Sequence, residues 1–189
     1  MSSSSLPENI RGVLKRSSLI FSKQEIDAAL DKMAKDIGER FAESAPVFLC
    51  VVIGGIVPLG NLLPRLDFPL EVDYIHVTRY SGKTFGEEIV WKARPTISLK
   101  DRVVIIVDDI LDAGITLSAI VEYCHEQKAK EVYTAVLLDK KKPRAKGGLE
   151  KPDFYGLVVD DHYVFGYGLD YKRYLRNANG IYAIDPKDA

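Results

Sequence analysis

The stretch Val103-Val104-Ile105-Ile106-Val107-Asp108-Asp109-Ile110-Leu111-Asp112-Ala113-Gly114-Ile115-Thr116 decides the fold. Val103–Val107 is short, β-branched and continuous, as in a strand buried on both faces of a parallel sheet. The run stops on paired carboxylates. After Gly114, the residues Ile115, Leu117, Ile120, Val121 and Cys124 recur with helical spacing to about Glu126. The unit is therefore strand, loop, helix, with its loop at the carboxyl end of a strand, where open α/β sheets bind ligands. Ala113 and Gly114 let a ligand approach the backbone. N–H groups at the helix start, with the Thr116 hydroxyl, suit a phosphate. Asp108 and Asp109 would repel that phosphate but suit sugar hydroxyls, or Mg²⁺ and its waters. Asp112 stands in the loop and can accept a proton. The implied ligand carries a phosphate, a polyol and a metal.

Outward from this unit, Ser22 before Lys23-Gln24-Glu25 reads as a capping box. Ile26, Leu30, Met33, Ile37 and Phe41 continue that helix to about Glu43. Val47–Ile53 reads as a buried strand, Gly54-Gly55 as a turn, and Ile56–Leu66 as a helix with Pro58 in its first turn. Val72–Val77 is a strand. Arg79–Trp91 reads as a long loop or hairpin, and its length makes it a lid candidate. Val132–Leu138 is a strand and Lys140–Lys151 a basic, Gly-containing loop. Strands near Tyr155–Val159, Tyr163–Phe165 and Ile181–Ile184 follow. Met1–Leu6 is polar, low-complexity and expected to be disordered. The expectation is one α/β domain spanning residues 1–189: a mostly parallel central sheet flanked by helices, with a small β-rich hood. The core would span about 45–145, and the hood the N-terminal segment plus about 146–189.

Length and composition bound the function. A chain of 189 residues that is 47% hydrophobic can bury a sizeable core. The formal charge of -1, from 26 basic and 27 acidic residues, carries no bulk signal for nucleic acid or membrane. No apolar run approaches a membrane span, and the polar start lacks the apolar core of a secretory signal. Cys50 and Cys124 lie in apolar contexts and read as reduced core residues. A cytoplasmic enzyme fits these features.

Val103–Thr116 resembles the phosphoribosyl-pyrophosphate motif of type I phosphoribosyltransferases. Further segments, in the family's order, resemble its hypoxanthine-guanine branch. Val51–Gly55 is similar to the pyrophosphate loop, Val77–Ser81 to the start of the lid, and Leu137–Lys140 to the strand end bearing the purine-binding lysine. Lys151–Phe154 and Tyr163–Tyr171 resemble the C-terminal hood. The likeness runs from about Leu19 to Ile184. It implies the type I fold and purine salvage, joining hypoxanthine or guanine to phosphoribosyl pyrophosphate with Mg²⁺, in a homodimer or homotetramer. It also implies roles. Asp112 would be general acid/base near purine N7. Asp112, Ala113, Gly114, Ile115 and Thr116 would hold the phosphate, with Asp108 and Asp109 at the ribose. Ile53, Gly54 and Arg176 would face pyrophosphate. Lys140, Tyr163 and Val164 would bind the purine, by 6-oxo contact, stacking and backbone respectively. Arg79, Tyr80 and Ser81 would begin the lid. Asp170, with Asp108 and Asp109, would place the metal. A cis peptide would join Val52 and Ile53.

Blander readings stand beside these. Asp108-Asp109 also suits a receiver-type domain, although there the pair follows the first strand. Asp112 can be a helix cap, Gly54-Gly55 a plain turn, Tyr163 a half-buried strand aromatic and Arg176 a surface residue. Ile53 and His162 depart from the family, which often carries a basic residue at or near each. His162 is expected on the surface, and His76 and His125 as structural residues. Lys141, Lys142 and Arg144 read as a solvated charge run. A same-fold regulator that binds phosphoribosyl pyrophosphate without turnover, and an enzyme for another base such as xanthine, remain open.

Overall fold

The computed structural model describes residues 8–80 and 88–188; Met1–Leu6 and Ser81 lie outside them. The opening helix α1 (Glu8–Arg16) leads into strand β1 (Ser18–Ser22) and helix α2 (Lys23–Phe41). Ser22 caps α2 through the expected box: its Oγ accepts from Glu25 N at 3.3 Å, and Glu25 Oε2 accepts from Ser22 N at 2.8 Å. Next come β2 (Val47–Val52), α3 (Ile56–Leu62), β3 (Glu71–Tyr80) and β4 (Glu88–Ala93). The central unit is β5 (Val103–Leu111) and α4 (Ile115–Glu126), followed by β6 (Glu131–Lys141) and β7 (Phe154–Asp160). Short strands β8 (Val164–Phe165) and β9 (Gly180–Ala183) follow, and a 3-10 turn at Pro186–Asp188 ends the described fold.

Six strands form the main sheet in the order β4-β3-β2-β5-β6-β7. All neighbours in it are parallel except β3 and β4. Strand β5 is central because its sequence has no polar face to offer. Ile105 and Val107 pack with Leu30, Ile37 and Leu59 from α2 and α3 on one side. Val104 and Ile106 pack with Leu117, Ile120 and Cys124 of α4 on the other. Both cysteines are free and buried, and burial pushes the Cys50 thiol up to about 11 and that of Cys124 to about 12.

The hood is a separate antiparallel sheet, β1-β9-β8. Its small core joins Ile10 and Val13 of α1 to Phe165 and Tyr171. Arg16 forks onto Asp188 at 2.8 and 2.6 Å, tying the two ends of the described chain together.

Several expectations need correction. The strand carrying Asp108 and Asp109 does not stop at Val107 but runs to Leu111, because β6 continues pairing as far as Leu111↔Asp139. Strand β6 likewise carries Lys140 and Lys141, expected in a loop. Of the two readings of Arg79–Trp91, loop or hairpin, the ends take the hairpin: they pair antiparallel as β3 and β4, with Arg79 opposite Ile89. Trp91 therefore sits in a strand, its ring 5.1 Å from Tyr123. Strand β7 joins the main sheet, beyond the expected core limit near residue 145. Helix α1 has no counterpart in the sequence reading. Its apolar face is short, and its partners lie at the far end of the chain.

Candidate active site

A cavity of about 600 Å³ opens at the carboxyl ends of the central strands. Strand β5 and the loop to α4 form its floor. Gly114 takes φ +82 as the N-cap of α4, with no side chain capping the helix. The cap reading of Asp112 therefore falls. A Cβ on Gly114 would lie 2.6 Å from Leu149 N and O, so only glycine fits both the turn and the loop beneath it.

Asp108 and Asp109 line this cavity from the strand itself. Asp108 Oδ1 accepts from Asp109 N at 2.8 Å, which fixes its carboxylate. Burial, reinforced by mutual repulsion, holds the titration of the pair above the usual carboxylate range. Arg176 approaches Asp109 at 3.8 Å and offsets part of that repulsion. The same guanidinium donates to Asp170 Oδ1 at 2.7 Å and to Gly168 O at 2.6 Å. It thus bridges the hood to the sheet and is no free surface residue.

The 53–55 turn lies between these elements. The peptide joining Val52 and Ile53 is cis. A Cβ on Gly54 would fall 1.9 Å from Asp109 Oδ2, and one on Gly168 would fall 2.4 Å from Gly54 O. Sheet, turn and hood therefore close on one another at glycine distance. Ile53 is half exposed and does not line the cavity.

Asp112 is partly buried on the opposite wall. Its Oδ1 lies 2.6 Å from Lys142 Nζ and 3.4 Å from Lys140 Nζ. These are charge contacts; Oδ1 is buried without a well-aligned hydrogen bond. Burial alone would raise the Asp112 carboxyl, but the Lys142 and Lys140 cations together bring it below the usual range. Lys140 also approaches Asp161 at 3.6 Å.

A model of the phosphoribosyl transferase domain matches residues 18–172. The chain belongs to the phosphoribosyltransferase family. Curated relatives place it in the hypoxanthine-guanine branch. The hypoxanthine-guanine phosphoribosyltransferase of Bacillus subtilis is 32% identical over 170 residues, covering 89% of this chain and 93% of the relative. The hypoxanthine-guanine-xanthine phosphoribosyltransferase of Tritrichomonas foetus is 31% identical, covering 84% and 86%. Among solved structures, a Staphylococcus aureus hypoxanthine phosphoribosyltransferase superposes with a TM-score of 0.86 at 24% identity, over 97% of this chain and 98% of that one. The type I fold accounts for the likeness. The receiver-type alternative is excluded.

The fold brings most of the expected residues together. Gly54, Asp108, Asp109, the run Asp112–Thr116, Val164, Asp170 and Arg176 all line one cavity. Lys140 stands behind Asp112, not on the wall. Tyr163 is half exposed, its ring 6.2 Å from that of Tyr171. Arg79 and Tyr80 end strand β3. His162 is exposed, as expected.

One expectation fails outright. Lys142 and Arg144 are not a solvated run; of that group only Lys141 is, with 67% of its side chain exposed. The Arg144 side chain is 7% exposed. It donates to Leu111 O at 3.1 Å, Asp112 O at 2.8 Å and Lys140 O at 2.8 Å, and pairs with Asp139. Ala145 N then donates to Ala113 O at 3.0 Å and Leu149 N to Gly114 O at 3.1 Å. The only sequence signal was the glycine pair Gly147-Gly148, where a Cβ on Gly148 would lie 2.3 Å from Ala113 O.

Proposed function

We propose that this chain joins hypoxanthine or guanine to phosphoribosyl pyrophosphate, giving IMP or GMP and pyrophosphate. One juxtaposition carries the reading. A phosphate-sized loop, a carboxylate pair for a polyol, an arginine for an anion and a proton-accepting Asp112 share a single cavity. The 5-phosphate rests on the N–H groups of Ala113–Thr116. Asp108 and Asp109 take the ribose hydroxyls. As the bond from C1′ to the pyrophosphate oxygen breaks, pyrophosphate leaves with the electron pair and positive charge grows on the sugar. Arg176 faces the departing anion, and its planar fork matches that group. N9 of the purine bonds to C1′, and the proton of N7 passes to Asp112. Tyr163 and Val164 receive the base, and closure of the segment beginning at Arg79, Tyr80 and Ser81 keeps water from the reactive sugar.

Among the described residues, no carboxylate, imidazole and thiolate groups cluster closely enough to hold a metal alone. The oxygen-only set of Asp108, Asp109 and Asp170 nonetheless fits Mg²⁺, which is commonly held by one or two carboxylates plus substrate phosphates. The raised titration of the Asp108–Asp109 pair agrees, since such a pair gains most from a cation. Bound there with pyrophosphate, the ion would neutralise the leaving group. The reading includes a cytoplasmic enzyme and a homodimer or homotetramer.

A steady-state assay with Mg²⁺ and hypoxanthine, guanine, xanthine and adenine tests it. Xanthine belongs in the panel because the Tritrichomonas foetus relative carries that base in its name. Lys140 offers donors only, so it suits a 6-oxo group and opposes a 6-amino group. Rejection of adenine by about 10⁴-fold is expected. Adenine turnover matching that of hypoxanthine would overturn the 6-oxopurine assignment. Activity should vanish in excess chelator and return with Mg²⁺; full turnover in chelator would remove the metal from the scheme.

A further inference from the structure

Lys142 has no role in the scheme above, yet it makes the shortest charge contact to Asp112. Its Nζ is 2.6 Å from Oδ1, against 3.4 Å for Lys140. Its side chain is 26% exposed, far less than that of its neighbour Lys141. The placement is built. Lys142 N donates to Lys140 O at 3.0 Å. Arg144 clamps the carbonyls of Lys140 and Asp112 from the same loop. The loop continues beneath the phosphate site through the Ala145 and Leu149 amides.

The chemistry supplies a reason for an additional lysine. Lys140 is paired with Asp112 and Asp161. To meet a 6-oxo group it must leave them. Asp112 would then lose its counter-charge at the step where it accepts a proton, and a partly buried, uncompensated carboxylate is costly. Lys142 is within reach to keep that charge compensated.

We propose that Lys142 is a positioning residue for Asp112: it anchors Oδ1, so that Lys140 is released to the purine while Oδ2 faces N7. The inference rests on the proposed role of Asp112 as proton acceptor. The charged groups around Asp112 are few. Lys140 comes from β6, Lys142 and Arg144 from the loop after it, and Asp161 from the turn after β7; Arg144 is itself neutralised by Asp139. Two lysine cations thus set the titration of Asp112 against its burial. Removing Lys142 removes the nearer one. The carboxyl then titrates higher, and the base form is lost at a higher pH.

The test compares Lys142→Met with the unmodified protein across about pH 3 to 7, a window that includes the acid limb of a carboxyl held below the usual range, reading the ratio of their kcat/KM values. Substrate ionisation cancels in that ratio. An opposite charge this close lowers a carboxyl by about one unit or more, so the acid limb of the variant should move up by about one unit. Along that limb the ratio should fall about 10-fold. Lys142→Arg should restore most of the profile. Lys141→Met, which removes an exposed lysine paired with Asp160, should leave it unchanged. Lys142→Gln serves if the Met variant does not fold. A flat ratio, with Asp112→Asn inactive, overturns the role of Lys142 and leaves Asp112 standing. An active Asp112→Asn overturns the proton-acceptor reading itself, and this inference with it.

Discussion

The stretches Asp108–Thr116 and Lys140–Glu150 lie against each other and are both polar, yet different physical rules shape them. The former shows its purpose in one dimension. An apolar run turns to carboxylates, then to small residues, then to a helix, and each change has a local physical reason. The latter has the composition of solvent-exposed charge. Its purpose depends on partners about thirty residues upstream, at the carbonyls of Leu111 and Asp112. Arginine and lysine side by side say nothing about which is buried; here Lys141 is in water and Arg144 is not. A ligand loop needs another loop to hold it, and the holder need not resemble a site.

The largest effect should come from the ligand loop. Asp112→Asn should keep the fold and lose about 10²–10⁴-fold in turnover, the usual contribution of a general acid or base. Near-full turnover would show that the loop only shapes the cavity. Arg144→Met should strike the supporting loop almost as hard, through stability. It leaves Asp139 and several carbonyls without a partner, a loss of about 3 kcal/mol, the low end for a broken buried pair because Asp139 stays partly hydrated. Arg144→Lys should rescue little, since an ammonium cannot reproduce the fork. A denaturant midpoint unchanged in Arg144→Met would return the loop to the class of solvated charge.

Smaller effects sharpen the contrast further. Asp108→Asn removes one of two crowded carboxylates. In metal-free, ligand-free protein it should raise Tm by about 2–4 °C, corresponding to about 1 kcal/mol for a chain of this size. The same change should weaken binding of phosphoribosyl pyrophosphate. A lowered Tm would mean that the Asp109 N–H contact outweighs the repulsion. Lys141→Met should be nearly silent, within about 0.5 kcal/mol, as for other exposed ion pairs. A loss comparable to that of Arg144→Met would erase the distinction between the two basic residues.

The site was legible wherever residue type and spacing carried it. The carboxylate pair, the Gly114 turn and the α4 periodicity needed no neighbour to be read, and Ser22 with Glu25 announced the start of α2 just as locally. Asp170 and Arg176 were found only through resemblance. Nothing in Tyr174-Leu175-Arg176-Asn177 marks an arginine that reaches Gly168, Asp170 and Asp109. Strand ends were misjudged for a related reason. Asp108 and Lys140 have the character of loop residues, but pairing between β5 and β6 carries Asp108, and pairing between β6 and β7 carries Lys140, beyond the apolar runs.

By itself, the sequence determined the alternation of strands and helices, the burial of β5 on both faces and the chemistry of the phosphate loop. Those follow from periodicity and from side chains acting on their own backbone. Only the tertiary structure decided which glycines touch, how Arg176 joins hood to sheet, and that Lys142 and Arg144 face inward. Such outcomes depend on contacts between distant segments, where burial and charge pairing are properties of two partners and cannot be read from either one.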